Sequence, residues 1–202
     1  FLMIKIPNQF GQYHINRSDE NKKYRHKILI AHKNDKKYAM KFSIDDSIKH
    51  EYAIMAQLSH PNLLSAEDVL IKNNLYAIAM PFAEGGDLYN YLNEHVKRGK
   101  ILPESEIRSI MKQLFLGMNY IHQQGLVHRD IKLENILFLD ANRTHVVLAD
   151  FEFTLLVNDI MDYLGTDPYK APECIQRSEC SSKIDCWSAG IVLYILLFNS
   201  YP

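Results

Sequence analysis

Apolar and polar positions alternate through the first part of the chain. Lys27 to His32, Lys37 to Phe42 and Leu75 to Met80 each carry the two-residue period of a half-buried strand. Among them, Asp45, Asp46 and Ser47 offer helix N-caps, and Ile48, Tyr52 and Met55 recur at spacings of four and three. Ser47 to Leu58 therefore reads as one amphipathic helix, ended by His60-Pro61-Asn62. Residues 12 to 84 contain no glycine, and after Gly85-Gly86 the period changes. Ile107, Ile110, Met111, Leu114, Met118 and Ile121 form an apolar stripe that starts after Pro103 and stops before Gly125, which predicts a long core helix. Short strands Ile136 to Leu139 and Val146 to Ala149, an irregular stretch from Phe151 to Pro172, and a last helix from about Lys183 to Phe198 complete the pattern. It predicts an α+β protein: an antiparallel β-rich lobe with one helix over residues 1–82, then a mainly helical lobe over residues 83–202. The break falls near Pro81 to Gly86, where proline and two glycines interrupt both periods.

Composition narrows the class. The chain has 202 residues, 47% hydrophobic and 23% charged, with 23 Lys+Arg against 24 Asp+Glu. Disorder calls for fewer apolar residues, and a nucleic-acid-binding domain usually carries a basic excess. The longest apolar run, Ala189 to Phe198, is about half of the roughly 20 residues a membrane span needs. The expectation is a soluble intracellular protein of the cytoplasm, with no membrane span and no nucleic-acid partner. Three cysteines make no disulfide framework and no paired C-x-x-C, so they read as reduced thiols packed near a core. The start at Phe1 and the stop at Pro202, straight after an apolar helix, suggest a piece of a longer protein. Nine histidines include no H-x-x-x-H or H-E-x-x-H pair that would support a metal site.

Between the long helix and the following strand lies His128-Arg129-Asp130-Ile131-Lys132-Leu133-Glu134-Asn135. A carboxylate there can orient a hydroxyl and accept its proton, an ammonium can neutralise a moving phosphoryl group, and an amide oxygen can hold Mg²⁺. Asp150, at the end of the strand Val146 to Ala149, offers a second metal contact.

This octapeptide resembles the catalytic loop of the eukaryotic protein kinases. The likeness extends, in family order, through Tyr38-Ala39-Met40-Lys41, Glu51, Asp150-Phe151-Glu152, Ala171-Pro172-Glu173 and Asp185-Cys186-Trp187-Ser188-Ala189-Gly190. The resemblance implies a bilobal kinase fold and transfer of the γ-phosphate of ATP, with Mg²⁺, to protein substrates bearing Ser or Thr. It implies Asp130 as catalytic base, Lys41 on the α/β-phosphates and paired with Glu51, and Asn135 and Asp150 on Mg²⁺. Lys132 marks the serine/threonine type, and Thr166 resembles the threonine that bridges Asp130 and Lys132. Nucleotide contacts are implied at Ala39, Met80, Phe82, Ala83, Asp87, Glu134 and Leu137. An N-cap explains Asp87 equally well, and Asp87 and Glu134 also suit a basic substrate side chain. The wording of Ile131 to Asn135 and of Ala83 to Leu88 is similar to the calcium/calmodulin-dependent and AMP-activated kinase group.

The pattern also departs from the family. No G-x-G-x-x-G is present; the loop that should bear it falls at Glu20 to Arg25, where Lys22, Lys23 and Arg25 either supply positive charge to phosphates or form a solvated tip. Glu152 replaces the glycine of D-F-G, restricting the backbone and adding negative charge beside the metal site. The segment from Lys41 to Glu51 is short, so the helix bearing Glu51 should lose its first turn. Asp162 occupies the position of the activating phosphate, either pairing with Arg129 or sitting solvated in a turn. Glu173 should pair with an arginine beyond Pro202 and would be costly if buried alone. A pseudokinase, keeping the fold as a scaffolding or allosteric module, is the alternative to an active enzyme. A small-molecule phosphotransferase is disfavoured by Gly165-Thr166 and Ala171-Pro172-Glu173, which belong to a protein-substrate loop.

Overall fold

The computed structural model describes residues 6–16, 27–45, 47–160, 164–178 and 180–202. The expectations for Lys22, Lys23, Arg25 and Asp162 lie outside the described residues. The chain divides into two compact units, residues 1–59 with 64–82, and residues 60–63 with 83–202.

The first unit is built on β1 (Gln9–Phe10), β2 (Tyr13–Ile15), β3 (Lys27–Lys33), β4 (Lys36–Ser43), α1 (Ile48–Gln57), β5 (Asp68–Lys72) and β6 (Leu75–Pro81). Its strands form one antiparallel sheet in the order β1-β2-β3-β4-β6-β5. The predicted strands in β3, β4 and β6 are observed, each a residue or so longer. The period-two pattern missed β1, β2 and β5, because two or three residues are too few to show a period and Asp68–Lys72 has no buried face. Phe10, Tyr13, Met40, Phe42, Ala77 and Ala79 make the core under the sheet. The sheet's far ends approach each other: Tyr13 Oη of β2 donates to Asp68 Oδ2 of β5 at 2.5 Å, and Lys33 Nζ joins the same oxygen at 2.9 Å.

Helix α1 starts only three residues before Glu51. Ser47 occupies the N-cap position without a side-chain cap bond, a correction to the expected cap; Asp45 Oδ1 instead accepts from the Ser47 amide at 3.0 Å. The buried stripe runs Ile48, Glu51, Ile54 and Met55 rather than through Tyr52, which is half-buried.

The second unit carries β7 (Gly86–Asp87), α2 (Leu88–Lys97), α3 (Glu104–Gln123), β8 (Leu126–Val127), β9 (Ile136–Phe138), β10 (Val146–Leu148), β11 (Leu155–Leu156), α4 (Pro172–Ile175) and α5 (Lys183–Phe198). The long helix is as predicted, with Glu104 and Glu106 in its first turn, where they favour the helix dipole. Its stripe of Ile107, Ile110, Met111, Leu114, Met118 and Ile121 is buried. Gly125, at φ +72°, ends it in the left-handed conformation. Helix α2 went unpredicted because only Leu88 and Leu92 are buried, while Tyr89 and Val96 are exposed among polar neighbours. Among the described residues no helix is long and apolar enough to cross a membrane.

Candidate active site

In the first unit, β4 pairs with β6 so that Lys41 lies opposite Ile78 and Ala39 opposite Met80. Lys41 points into the space under α1, where its Nζ meets Glu51 Oε2 at 2.8 Å. The side chains are 6% and 2% exposed. Two charges are withdrawn from water only where they compensate each other, so this pair is specific. Of the expected nucleotide contacts, Ala39 and Met80 are cross-strand neighbours, and Phe82, just beyond β6, has the Lys37 ammonium 5.6 Å over its ring.

In the second unit, the chain leaves α3 and β8 and turns sharply at Arg129, whose φ is +73°. A non-glycine residue there costs free energy, and this turn is pinned from below by Asp185 of α5. Asp185 Oδ2 accepts from the His128 amide at 2.9 Å, Oδ1 from the Arg129 amide at 2.8 Å, and His122 Nε2 stands 2.8 Å from Oδ2. The Asp130 amide donates to His128 Nδ1 at 3.3 Å, so the ring proton sits on Nε2, which donates to the Ala149 carbonyl at 3.0 Å. His128 thus joins the turn to the segment that follows β10 and leads into Asp150, with Phe151 edge-on to its ring at 5.4 Å. Burial pulls the Arg129 guanidinium below the usual arginine range. Its Nη1 donates to the Phe153 carbonyl at 3.2 Å. Asp185 was visible only as part of a motif and His122 was missed; a histidine in a helix's last turn is a common dipole partner, so only the fold reveals its role.

The turn presents a compact polar triangle. Lys132 Nζ donates to Asp130 Oδ2 at 2.6 Å and to Thr166 Oγ1 at 3.0 Å, and Thr166 Oγ1 donates to Asp130 Oδ1 at 2.6 Å. Asn135 Nδ2 donates to the Asp130 carbonyl at 2.8 Å and to its Oδ2 at 3.1 Å. Thr166 comes this close because Gly165, at φ +126°, passes the Arg129 carbonyl; a Cβ there would stand 3.0 Å from that oxygen.

Asn135 lies at the end of a single 3₁₀ turn, Leu133–Asn135, and its carbonyl accepts from the Ala149 amide at 2.8 Å, which brings Asp150 beside the loop. Asp150 sits at φ +67°, strain that aspartate tolerates better than most residues. With Nδ2 of Asn135 committed to Asp130, its Oδ1 is left as an acceptor. An amide oxygen and a carboxylate are the hard oxygen donors that Mg²⁺ prefers, so the residues fit that ion. Among the described residues no cluster of three or more His, Cys, Asp or Glu forms a complete metal cage.

Asp87 caps α2: its Oδ1 accepts from the Asn90 amide at 2.7 Å. Glu134 is exposed on the 3₁₀ turn, and Leu137 of β9 pairs with Asp87 of β7 and Val147 of β10 in an antiparallel three-stranded sheet. Glu173 is half-buried, so the expected cost of a sealed, unpaired carboxylate does not arise; α4 is one surface turn and leaves the side chain partly in water. Of the cysteines, Cys174 is buried in a core cluster and the half-buried Cys180 packs against it, whereas Cys186 is exposed, so packing near a core describes the first two but not Cys186.

An aspartate held between an ammonium and a hydroxyl on a strained turn, in a chain that also seals a lysine–glutamate pair under an antiparallel sheet, is the layout of a protein kinase. The protein kinase domain family matches residues 9–202, and the chain belongs to that family. It is 33% identical over 185 residues to serine/threonine-protein kinase SRK2F of Arabidopsis thaliana, covering 87% of this chain and 52% of that protein. It is 35% identical over 179 residues to NUAK family SNF1-like kinase 2 of Homo sapiens, covering 86% of this chain and 28% of that one. The crystal structure of Rad53 in complex with AMP-PNP superposes with a TM-score of 0.77 at 28% identity, over 95% of this chain and 49% of that chain. The chain thus spans about half or less of the length of these relatives. They bear out the serine/threonine kinase family and the α+β kinase fold expected from the motifs.

Proposed function

We propose that the protein transfers the γ-phosphate of ATP to Ser or Thr hydroxyls of protein substrates. The observation that carries this reading is the hydrogen-bonded triangle of Asp130, Lys132 and Thr166. A carboxylate has about four lone-pair sites. Lys132 and Asn135 take those of Oδ2 and Thr166 takes one of Oδ1, leaving Oδ1 to receive a substrate hydroxyl. In the step proposed, the hydroxyl proton passes to Asp130 Oδ1 as its oxygen bonds to the γ-phosphorus. The bond from that phosphorus to the bridging oxygen breaks, and ADP departs with the electron pair. The Lys132 ammonium uses two of its three N–H groups on Asp130 and Thr166, keeping one for the moving phosphoryl group. Mg²⁺ would be held by Asn135 Oδ1 and Asp150 and would supply charge neutralisation. Within the first unit, Lys41 would contact the α/β-phosphates, Glu51 would fix its rotamer, and Ala39, Met80 and Phe82 would meet the adenine. Ala83, Asp87, Glu134 and Leu137 remain the proposed nucleotide contacts of the second unit. Residues 1–82 and 83–202 are proposed as the two lobes of one kinase domain, acting in the cytoplasm where ATP is available.

A specific observation favours the second reading. Glu152 adds a carboxylate two residues from Asp150, and the segment expected to cradle phosphates has no glycine. On that basis the chain would be a pseudokinase acting as a scaffold or allosteric module. The test is phosphate transfer from Mg-ATP to Ser/Thr and Tyr peptide pools by the full-length protein and its Glu152→Gly variant. Label on Ser or Thr with the native chain supports the enzyme; label only with Glu152→Gly, or with neither, supports the module.

A further inference from the structure

Two of the three cysteines lie together, and the proposed phosphoryl chemistry uses neither thiol. Cys174, on α4, is 5% exposed and packs with Val127, Ala171 and Ile184; Cys180 packs on the same cluster but is only half-buried. Their sulfurs are 3.3 Å apart. A disulfide requires about 2.05 Å, so the atoms need to close by only about 1.2 Å. The backbone makes this approach by folding back: the Ser178 amide donates to the Glu173 carbonyl at 2.9 Å and the Ser178 hydroxyl donates to it at 3.3 Å. The Cys180 thiol has the Ser178 carbonyl as an acceptor at 3.6 Å, which leaves the Cys174 thiol to donate to the Cys180 sulfur.

We propose that Cys174 and Cys180 form a reversible oxidation site, converted by hydrogen peroxide to an intrachain disulfide and restored by a dithiol reductant. Cys180 meets the oxidant, being the more exposed. Its thiolate sulfur bonds to one peroxide oxygen, the O–O bond breaks, and the departing hydroxide takes a proton to leave as water. The Cys174 sulfur then attacks the Cys180 sulfenic acid, the S–O bond breaks, and a second water leaves with the Cys174 proton. Two thiols lose two electrons and two protons, and the peroxide is reduced to two waters. Burial first, then the neighbouring Cys180, push the Cys174 thiol up to about 12, so Cys174 is the resolving partner rather than the first target. The Arg129 guanidinium acts the other way on Cys174, favouring its thiolate. Cys174 lines a small cavity with Arg129, Asp130, Gly165 and Thr166. The redox chemistry itself does not depend on phosphoryl transfer.

The experiment treats the full-length protein with hydrogen peroxide, alkylates before and after dithiothreitol, and maps the peptides. Expected is loss of alkylation at two of the three cysteines within this sequence, reversed by dithiothreitol, with a cross-linked peptide joining Cys174 to Cys180 and Cys186 still labelled. Cys174→Ala, which keeps a small apolar group in the cluster, should stop oxidation at a dimedone-reactive Cys180. Cys180→Ser, outside the tightest packing, should leave Cys174 fully alkylatable. A cross-link through Cys186, or Cys180 passing to sulfinic acid while Cys174 stays alkylatable in the native protein, would overturn the proposal.

Discussion

Lys41 and Glu51 show what burial demands of single residues. Each is nearly sealed from water, so removing one takes the close opposite charge away from the other in a dry setting, a loss of up to about 3–5 kcal/mol. Lys41→Met should therefore lower the midpoint of denaturant unfolding as well as any phosphate transfer; an unchanged midpoint would mean the pair is not sealed. Asp185 offers a sharper case, since its oxygens accept two backbone amides and face His122. In Asp185→Asn an amide group must face a backbone donor, and about 1–3 kcal/mol should be lost, read by thermal unfolding. Lys41, Glu51, Asp130, Lys132, Asn135 and Thr166 could all be picked out from the sequence because motif spacing carries them. The left-handed turns at Arg129 and Asp150 could not, since side-chain identity does not reveal a φ above zero for a non-glycine residue.

At the level of elements, the long helix and the central strands were readable because their periods are long and buried on one face. Helix α2, the two-residue strands and the one-turn α4 were not, being too short or too polar for a period to emerge. Close packing is equally hidden. Gly117 of α3 lies against the chain at Asn62: a Cβ would stand 2.8 Å from the Asn62 carbonyl and 3.0 Å from Leu63 Cδ2. That carbonyl cannot retreat freely, because it accepts from the Leu148 amide at 2.9 Å while Asn62 Nδ2 donates to the Val146 carbonyl at 2.8 Å. Gly117→Ala gains up to about 1 kcal/mol of helix propensity and loses about 1–3 kcal/mol to overpacking. A net fall in stability is expected on chemical denaturation, and a net rise would show that the Asn62 segment yields.

Across the whole molecule, acid should act partly through the closure of the first sheet. The Tyr13 hydroxyl, then the Lys33 ammonium, hold the Asp68 carboxyl below the usual range. A depressed carboxyl stabilises the fold above its unfolded pKa of about 4 and loses that contribution as pH falls through its folded value. Because the Asp68 side chain is 41% exposed, solvent screening keeps the effect under about 1 kcal/mol. Wild type should lose its stability advantage over Asp68→Asn as pH drops from about 6 to about 3, read as converging midpoints; parallel curves would exclude the linkage. The central claim concerns the triangle at Asp130, and it is tested most directly by the rate of γ-phosphate transfer from Mg-ATP to a Ser/Thr peptide pool. Asp130→Asn keeps the size of the side chain but removes the proton acceptor. The rate is expected to fall by about 10²–10⁴-fold with folding intact. Transfer by folded Asp130→Asn at the wild-type rate, or no transfer by the folded wild-type protein, would contradict it.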